Sequence, residues 1–366
     1  MNTIFISIVS GKGGTGKSLM SAVLGTMLSK MGKKVLLVDL DIHVRGLSVL
    51  LANYLIDVQD GKLTVSDLMD EKRNDSDPPE YAICRFERCD FIPSVRNCEE
   101  RLNYNDIQNS KEFNKKFADE LCEYSKNANY DIVIFDCRAG IDNNVLSICE
   151  HSKLVLSVSE DDDVCLKTNL NLIGHLKHKE EINNIYTIIN KGKRIKSVEE
   201  LETRISNEKI YALGVIPFDM DTMEDYGKER FWSNLTNTFY YYSLCVCWNS
   251  IAEKIKAEKI DLEKIEYKKP NFLKISKNSR LNYMQRVLSI YGIISALLAV
   301  GLSVYALVGT DNKIIPENPF IIISGVLFLV SIASFLLSTF SMKKYIHGEF
   351  DKPSLSENST NHPHPK

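Results

Sequence analysis

The chain has 366 residues, of which 44% are hydrophobic and 25% charged, and its formal net charge is −3 at pH 7. This composition supplies ample apolar material for a core and excludes a fully disordered chain, a collagen-like fibre and a small disulfide scaffold. The near-neutral balance gives no support to whole-surface binding of nucleic acid. At roughly 150 residues per domain, the length corresponds to about two domains. Cys84, Cys89, Cys98, Cys122, Cys137, Cys149, Cys165, Cys245 and Cys247 show no zinc-ligand spacing, and their odd number fits free thiols in a reducing cytosol. The start of the chain lacks the basic-then-apolar layout of a signal peptide; Ile4 to Val9 reads instead as a buried strand.

In chain order, Thr3–Val9 predicts a strand covered on both faces, followed by a glycine-rich turn and a helix over Lys17–Met31 that Gly32 stops. Lys34–Asp39 predicts a second strand ending in acids, and Asp90–Ile92 a short third. A polar helix over Ser110–Asn127 leads to a fourth strand, Tyr130–Asp136. Leu154–Val158, Tyr186–Ile189 and Ala212–Ile216 supply three more, with helical patterns between them. The fold class is therefore α/β: a doubly wound, mostly parallel sheet, with ligands expected beyond the carboxyl ends of its strands.

Beyond about Ile265 the character changes. Residues 266–286 form a basic segment with Lys268, Lys269, Lys274, Lys277, Arg280 and Arg286. Residues 287–308 and 320–340 then carry no charge at all, each matching the ~20 residues needed to cross ~30 Å of hydrocarbon. Ser295, Ala299 and Ser303 would let the two segments approach closely. The expectation is a globular domain over residues 1–265 and a hairpin of two transmembrane helices over 287–341, followed by a disordered cytoplasmic tail over 342–366. Lys/Arg bias puts both termini on the cytoplasmic side of an inner membrane, with the basic collar beside anionic lipid of the bilayer.

The chemistry concentrates in Gly11-Lys-Gly-Gly-Thr-Gly-Lys-Ser18, which fits G-x-x-x-x-G-K-[ST] between a predicted strand and a predicted helix. Glycines let successive N–H groups face one anion, and the helix adds its positive N-terminus. Gly11, Gly13, Gly14, Thr15, Gly16, Lys17, Ser18 and Leu19 form the expected nucleotide-binding set. Within it, Lys17 would neutralise phosphate oxygens and the Ser18 hydroxyl would ligate Mg²⁺.

The segment Lys12–Ser18 resembles the deviant Walker A motif of the MinD/ParA family of P-loop ATPases, marked by its early lysine, Lys12. The resemblance implies ATP and Mg²⁺ as ligands and a homodimer through the nucleotide face, with Lys12 reaching the partner subunit's phosphates. VLLVDLD (Val35–Asp41) and Gly46-Leu-Ser48 resemble the second acidic motif and switch I. They imply that Asp41 positions the attacking water and that Asp39 supports the phosphate and Mg²⁺ network. DIVIFDCRAG (Asp131–Gly140) resembles Walker B and switch II, with Asp136 contacting Mg²⁺ through water. IINK (Ile188–Lys191) and GVIPFD (Gly214–Asp219) resemble the adenine-holding segments, implying that the Asn190 amide meets the base beside Pro217. The resemblance covers about residues 1–255. It departs at Leu19, where Thr or Ser is usual, and at Cys137 and Arg138, which replace small or Ser/Pro residues.

It implies a membrane-anchored ATPase that cycles between an ATP-sandwiched dimer and a released state to switch or position an unidentified protein partner. Three other readings share parts of this pattern. A bacterial tyrosine kinase of the capsule-polysaccharide type also joins a P-loop to two spans, but its spans come first and its tyrosines crowd the tail. An arsenite or tail-anchor ATPase lacks spans, and a membrane effector would use the spans as a pore gated by the ATPase. The acidic run Glu160–Asp163 reads as a solvated loop, Phe239–Tyr242 as packing, and His43 and His151 have no catalytic partners by spacing.

Overall fold

The computed structural model describes residues 3–55, 61–70, 79–99, 101–104, 107–179, 182–192 and 211–267. The segments 287–308 and 320–340, the basic stretch beyond Tyr267 and the tail lie outside the described residues. Among the described residues, no helix is long and apolar enough to cross a membrane.

Among the described residues, eight strands form one sheet: β1 (Ile4–Ser10), β2 (Val35–Asp39), β3 (Cys84–Phe86), β4 (Cys89–Ile92), β5 (Ile132–Ala139), β6 (Leu154–Glu160), β7 (Ile185–Gly192) and β8 (Tyr211–Pro217). Their spatial order is β3-β4-β2-β5-β1-β6-β7-β8, and every neighbouring pair is parallel except β3 with β4. The order reverses at β1, the strand that feeds the glycine-rich loop, and a reversal of this kind opens a crevice at the carboxyl edge.

The strands are apolar runs because helices cover both faces. Ile6 and Ile8 of β1 point to one core and Phe5 and Val9 to the other. The first core is closed by α1 (Lys17–Lys30) and, through Leu244 and Trp248, by a late helix spanning Phe239–Ala252. The second is closed by α4 (Lys111–Asn127), α5 (Asn143–His151) and α6 (Asp163–Lys179). Shorter helices α2 (Gly46–Leu50), α3 (Val65–Leu68), α7 (Met220–Asp225) and α8 (Glu229–Asn234) lie in the connections, so the Phe239–Ala252 helix is α9. Ser110, Asp142 and Thr238 begin α4, α5 and α9 by accepting a backbone N–H three residues on, at 3.1, 2.8 and 3.1 Å.

The sequence pattern places seven of these strands, and the structure lengthens several at their carboxyl ends: β5 continues to Ala139 and β7 to Gly192. The eighth, β3, is a three-residue antiparallel edge. Arg85 interrupts its apolar run, and a turn at Glu87 with φ of 51° folds it onto β4. Phe86 anchors this edge, fully buried against Tyr54 and Trp232 at ring-centroid distances of 5.1 and 4.7 Å.

Candidate functional site

At the carboxyl edge, β1 runs into the loop 11–16 and then α1, so the loop backbone and the helix N-terminus face the same space. Gly14 and Gly16 have φ of 80° and 92°, in the left-handed region that lets the loop curl. A cleft of about 490 Å³ opens there. Its floor is Gly13, Gly14, Gly16, Lys17, Ser18 and Leu19; its sides are Asp41, Val44 and Gly46 from the β2–α2 turn and Arg138 and Ala139 from β5. Asn190, Lys191 and Pro217 to Asp219 close the far end, with Thr222, Met223 and Tyr226 of the α7 region as an outer wall.

Lys17 is buried, and its Nζ donates to Ser10 Oγ at 2.9 Å. Ser10 Oγ in turn donates to the Lys12 carbonyl at 2.7 Å, tying the loop to the strand that feeds it. On the other flank the Gly11 N–H donates to Asn169 Oδ1 of α6 at 3.2 Å. Lys12 itself is exposed, does not line this cleft, and makes no side-chain hydrogen bond or ion pair among the described residues.

Asp39, the last residue of β2, and Asp136, three residues before the end of β5, are register partners, and both are buried. Asp136 Oδ1 accepts from Ser21 Oγ of α1 at 2.9 Å, while its Oδ2 accepts no hydrogen bond among the described residues. Burial raises the Asp136 carboxyl, opposed by Lys17 and by the hydroxyls of Ser18 and Ser21. Burial and then the charge of Asp136 raise Asp39 as well. Unlike Asp136, Asp39 has both oxygens engaged. Oδ1 accepts the Asp41 N–H at 3.1 Å, and Oδ2 accepts the Ser48 N–H and hydroxyl at 2.8 and 2.7 Å. Asp39 thus pins the β2–α2 turn from within, and Ser48 passes the tether on to Ser94 at 2.9 Å. Asp41 stands in the cleft wall, its Oδ1 accepting the Val44 N–H at 3.0 Å.

Mg²⁺ takes oxygen ligands, usually one or two carboxylates together with water and phosphate. The unpartnered oxygen of Asp136 and the Ser18 hydroxyl fit that demand. The turn approaches closely here: a Cβ on Gly46 would stand 2.5 Å from Ser18 Oγ. Among the described residues no cluster of three or more His, Cys, Asp or Glu is arranged to hold a metal without such help.

The structure brings Gly13, Gly14, Gly16, Lys17, Ser18, Leu19 and Asp41 together along the cleft, and leaves Gly11, Lys12 and Thr15 outside its lining. Asn190 is buried at the cleft end, but its Nδ2 donates to the Thr15 carbonyl at 2.8 Å, so its amide holds the loop. Pro217 lines the same end. Arg138 lies 3.9 Å from Asp142 at the cleft mouth. The acidic run has local duties: Glu160 pairs with Lys191 at 2.6 Å, and Asp162 Oδ1 accepts the Cys165 N–H at 2.9 Å as α6 begins. His151 pairs with Asp119 at 2.7 Å, and His43 stacks on Tyr104 at 4.6 Å. Ser10, Ser21 and the Thr222–Tyr226 wall carry no signal in the sequence, and Lys191 enters there only as the last residue of IINK. A lone serine on an apolar helix and a short polar helix carry no pattern that marks a ligand.

A family of nucleotide-binding domains, CbiA (CobQ/CobB/MinD/ParA nucleotide binding domain), matches residues 6–230, more than half of the chain and all of the cleft lining except Tyr240. The chain belongs to this family. Among its relatives is a putative septum site-determining protein MinD from Oltmannsiellopsis viridis, 27% identical over 58% of this chain and 64% of that protein. The septum site-determining protein MinD of Synechocystis is 27% identical over 59% of this chain and 74% of its own length. The match to the first thus spans just under two thirds of that relative. The septum site-determining protein MinD of Pyrococcus horikoshii, solved with Mg-ADP, superposes with a TM-score of 0.53 at 24% identity, over 70% of this chain and all of that one. At that identity the likeness shows the CobQ/CobB/MinD/ParA fold.

Proposed function

We propose that the chain is an ATP phosphohydrolase acting in this cleft as a homodimer. The observation that carries the reading is the division of labour between two loop lysines. Lys17 is buried in its own cleft, whereas Lys12 projects from the same loop, exposed and away from that cleft. Phosphoryl transfer asks for positioning and charge neutralisation more than for covalent chemistry. The loop N–H groups, Lys17 and the start of α1 receive the phosphates. Ser18 and Asp136 would hold Mg²⁺, which would supply charge neutralisation for phosphoryl transfer. Asp41 orients the water, and Asp39 keeps Asp41 and Ser48 in place. Lys12, with no side-chain partner among the described residues, completes the partner's site.

ATP then acts as a timer, favouring the sandwiched dimer while bound and releasing it after hydrolysis. Attachment to the inner membrane through residues 287–308 and 320–340 is supported by their freedom from charge and by the basic segment before them. A membrane-held switch of this kind would position a protein partner, as yet unidentified. The test is Lys12→Ala. The variant is expected to bind ATP as the native chain does and to hydrolyse it at least ~100-fold more slowly. Normal hydrolysis by the variant would remove the dimer from the reading.

A further inference from the structure

The loop that receives the phosphates is held from behind by the end of β7. Asn190 Nδ2 donates to the Thr15 carbonyl at 2.8 Å, and Lys191 Nζ donates to the Gly14 carbonyl at 2.6 Å. In a trans peptide the C=O and N–H point in opposite directions. Fixing the Gly14 and Thr15 carbonyls on β7 therefore turns the N–H groups of Thr15 and Gly16 away from it, as an anion-binding loop needs. Thr15 is fully buried, so a released carbonyl would find no water.

Lys191 is itself braced. Its Nζ lies 2.6 Å from Glu160 Oε1 on β6, with the two side chains 32% and 26% exposed. Glu160 is the register partner of Asn190, so brace and clamp occupy one rung of the ladder. Lys191 sits where the β7–β8 register breaks, between Ile189 and Gly192, and adopts φ of 53°. That left-handed conformation is unfavourable for a lysine, and here it carries the ammonium back to the loop.

We propose that Lys191, braced by Glu160, is a positioning residue that presets the Thr15 N–H for the phosphate chain, beside the Gly16 N–H that Asn190 presets. The proposal rests on the nucleotide reading above. It differs from two other roles that Lys191 has the chemistry to play. A lysine acting as a simple cation would bind phosphate better once freed from Glu160. A lysine contacting base or ribose would matter for ATP but not for a bare phosphate chain.

Calorimetric titration of the full chain in detergent, with ATP and separately with inorganic tripolyphosphate, separates these roles. Lys191→Met is expected to weaken both ligands about five- to tenfold, the loss of one partly exposed charge-assisted hydrogen bond. Lys191→Arg should restore both to within about twofold, since a cationic donor is retained. Glu160→Gln is expected to weaken both ligands a few-fold, although it removes a negative charge from beside an anion site. Tighter or unchanged binding by Glu160→Gln overturns the proposal, and so does a Lys191→Met loss confined to ATP. Should Lys191→Met fail to fold, Glu160→Gln decides alone. A native chain that binds neither ligand would instead remove the nucleotide reading itself.

Discussion

Replacing Gly16 with alanine should weaken ATP binding far more than the same change at Gly14, although both glycines have positive φ. At Gly14, φ is 80° and an added Cβ meets nothing within 4 Å. The cost there is the left-handed conformation alone, roughly 1–2 kcal/mol. At Gly16, φ is 92° and the same Cβ would stand 2.3 Å from Asn190 Nδ2. The amide must move and abandon its 2.8 Å bond to the Thr15 carbonyl, which is buried. An unpaired buried acceptor adds about 1–3 kcal/mol, so the two variants should differ by roughly 5- to 150-fold in affinity. Displacement of a fluorescent ADP analogue measures both dissociation constants, and thermal melting checks that each variant is folded. Equal losses at the two positions would refute the reasoning, because the Asn190 clamp would then contribute nothing to the loop.

The buried acids make stability depend on pH in a definite direction. Asp136 is raised above the ordinary 3.8 by burial. Its contribution to stability is therefore fully present below that value and lost as pH rises through the folded-state value. In chain free of nucleotide and Mg²⁺, Asp136→Asn keeps an acceptor for Ser21 and removes the charge. Urea denaturation should show the variant gaining on the native chain between pH 4.5 and 7.5; a relative loss over that interval would contradict the assignment. Phe86→Ala should cost about 3–5 kcal/mol, because it empties a fully buried ring site between Tyr54 and Trp232. A loss under ~1 kcal/mol by the same method would mean that the β3 edge is not anchored there.

The sheet was legible because doubly covered strands are unbroken apolar runs, as in Ile132–Phe135, and the helices between them end at recognisable caps. β3 was not legible: three residues broken by Arg85 carry no period, and only pairing with β4 makes them a strand. The phosphate loop was legible because its backbone path demands glycines, and the two acids because they close apolar strands. What sequence could not give was how those groups divide the work. Asp39 and Asp136 look alike at the ends of their predicted strands. Only the fold shows Asp39 saturated by Ser48 and Asp41 while one oxygen of Asp136 stays open. Asn190 lies in a segment that resembles an adenine-holding one, and the fold adds a bond from its Nδ2 to the Thr15 carbonyl. Lys191 reaches Gly14 through a left-handed bulge that no local pattern announces.

Mixing two damaged chains tests most directly whether Lys12 acts across a dimer. Lys12→Ala and Asp41→Ala should each hydrolyse ATP very slowly alone. When they are mixed in equal amounts, a heterodimer regains one complete site, the one with its own Asp41 and its partner's Lys12. Half of randomly assorted dimers are mixed and each has one good site, so phosphate release should recover to about a quarter of the native rate. No recovery on mixing, with both variants folded and binding ATP, would contradict the shared site.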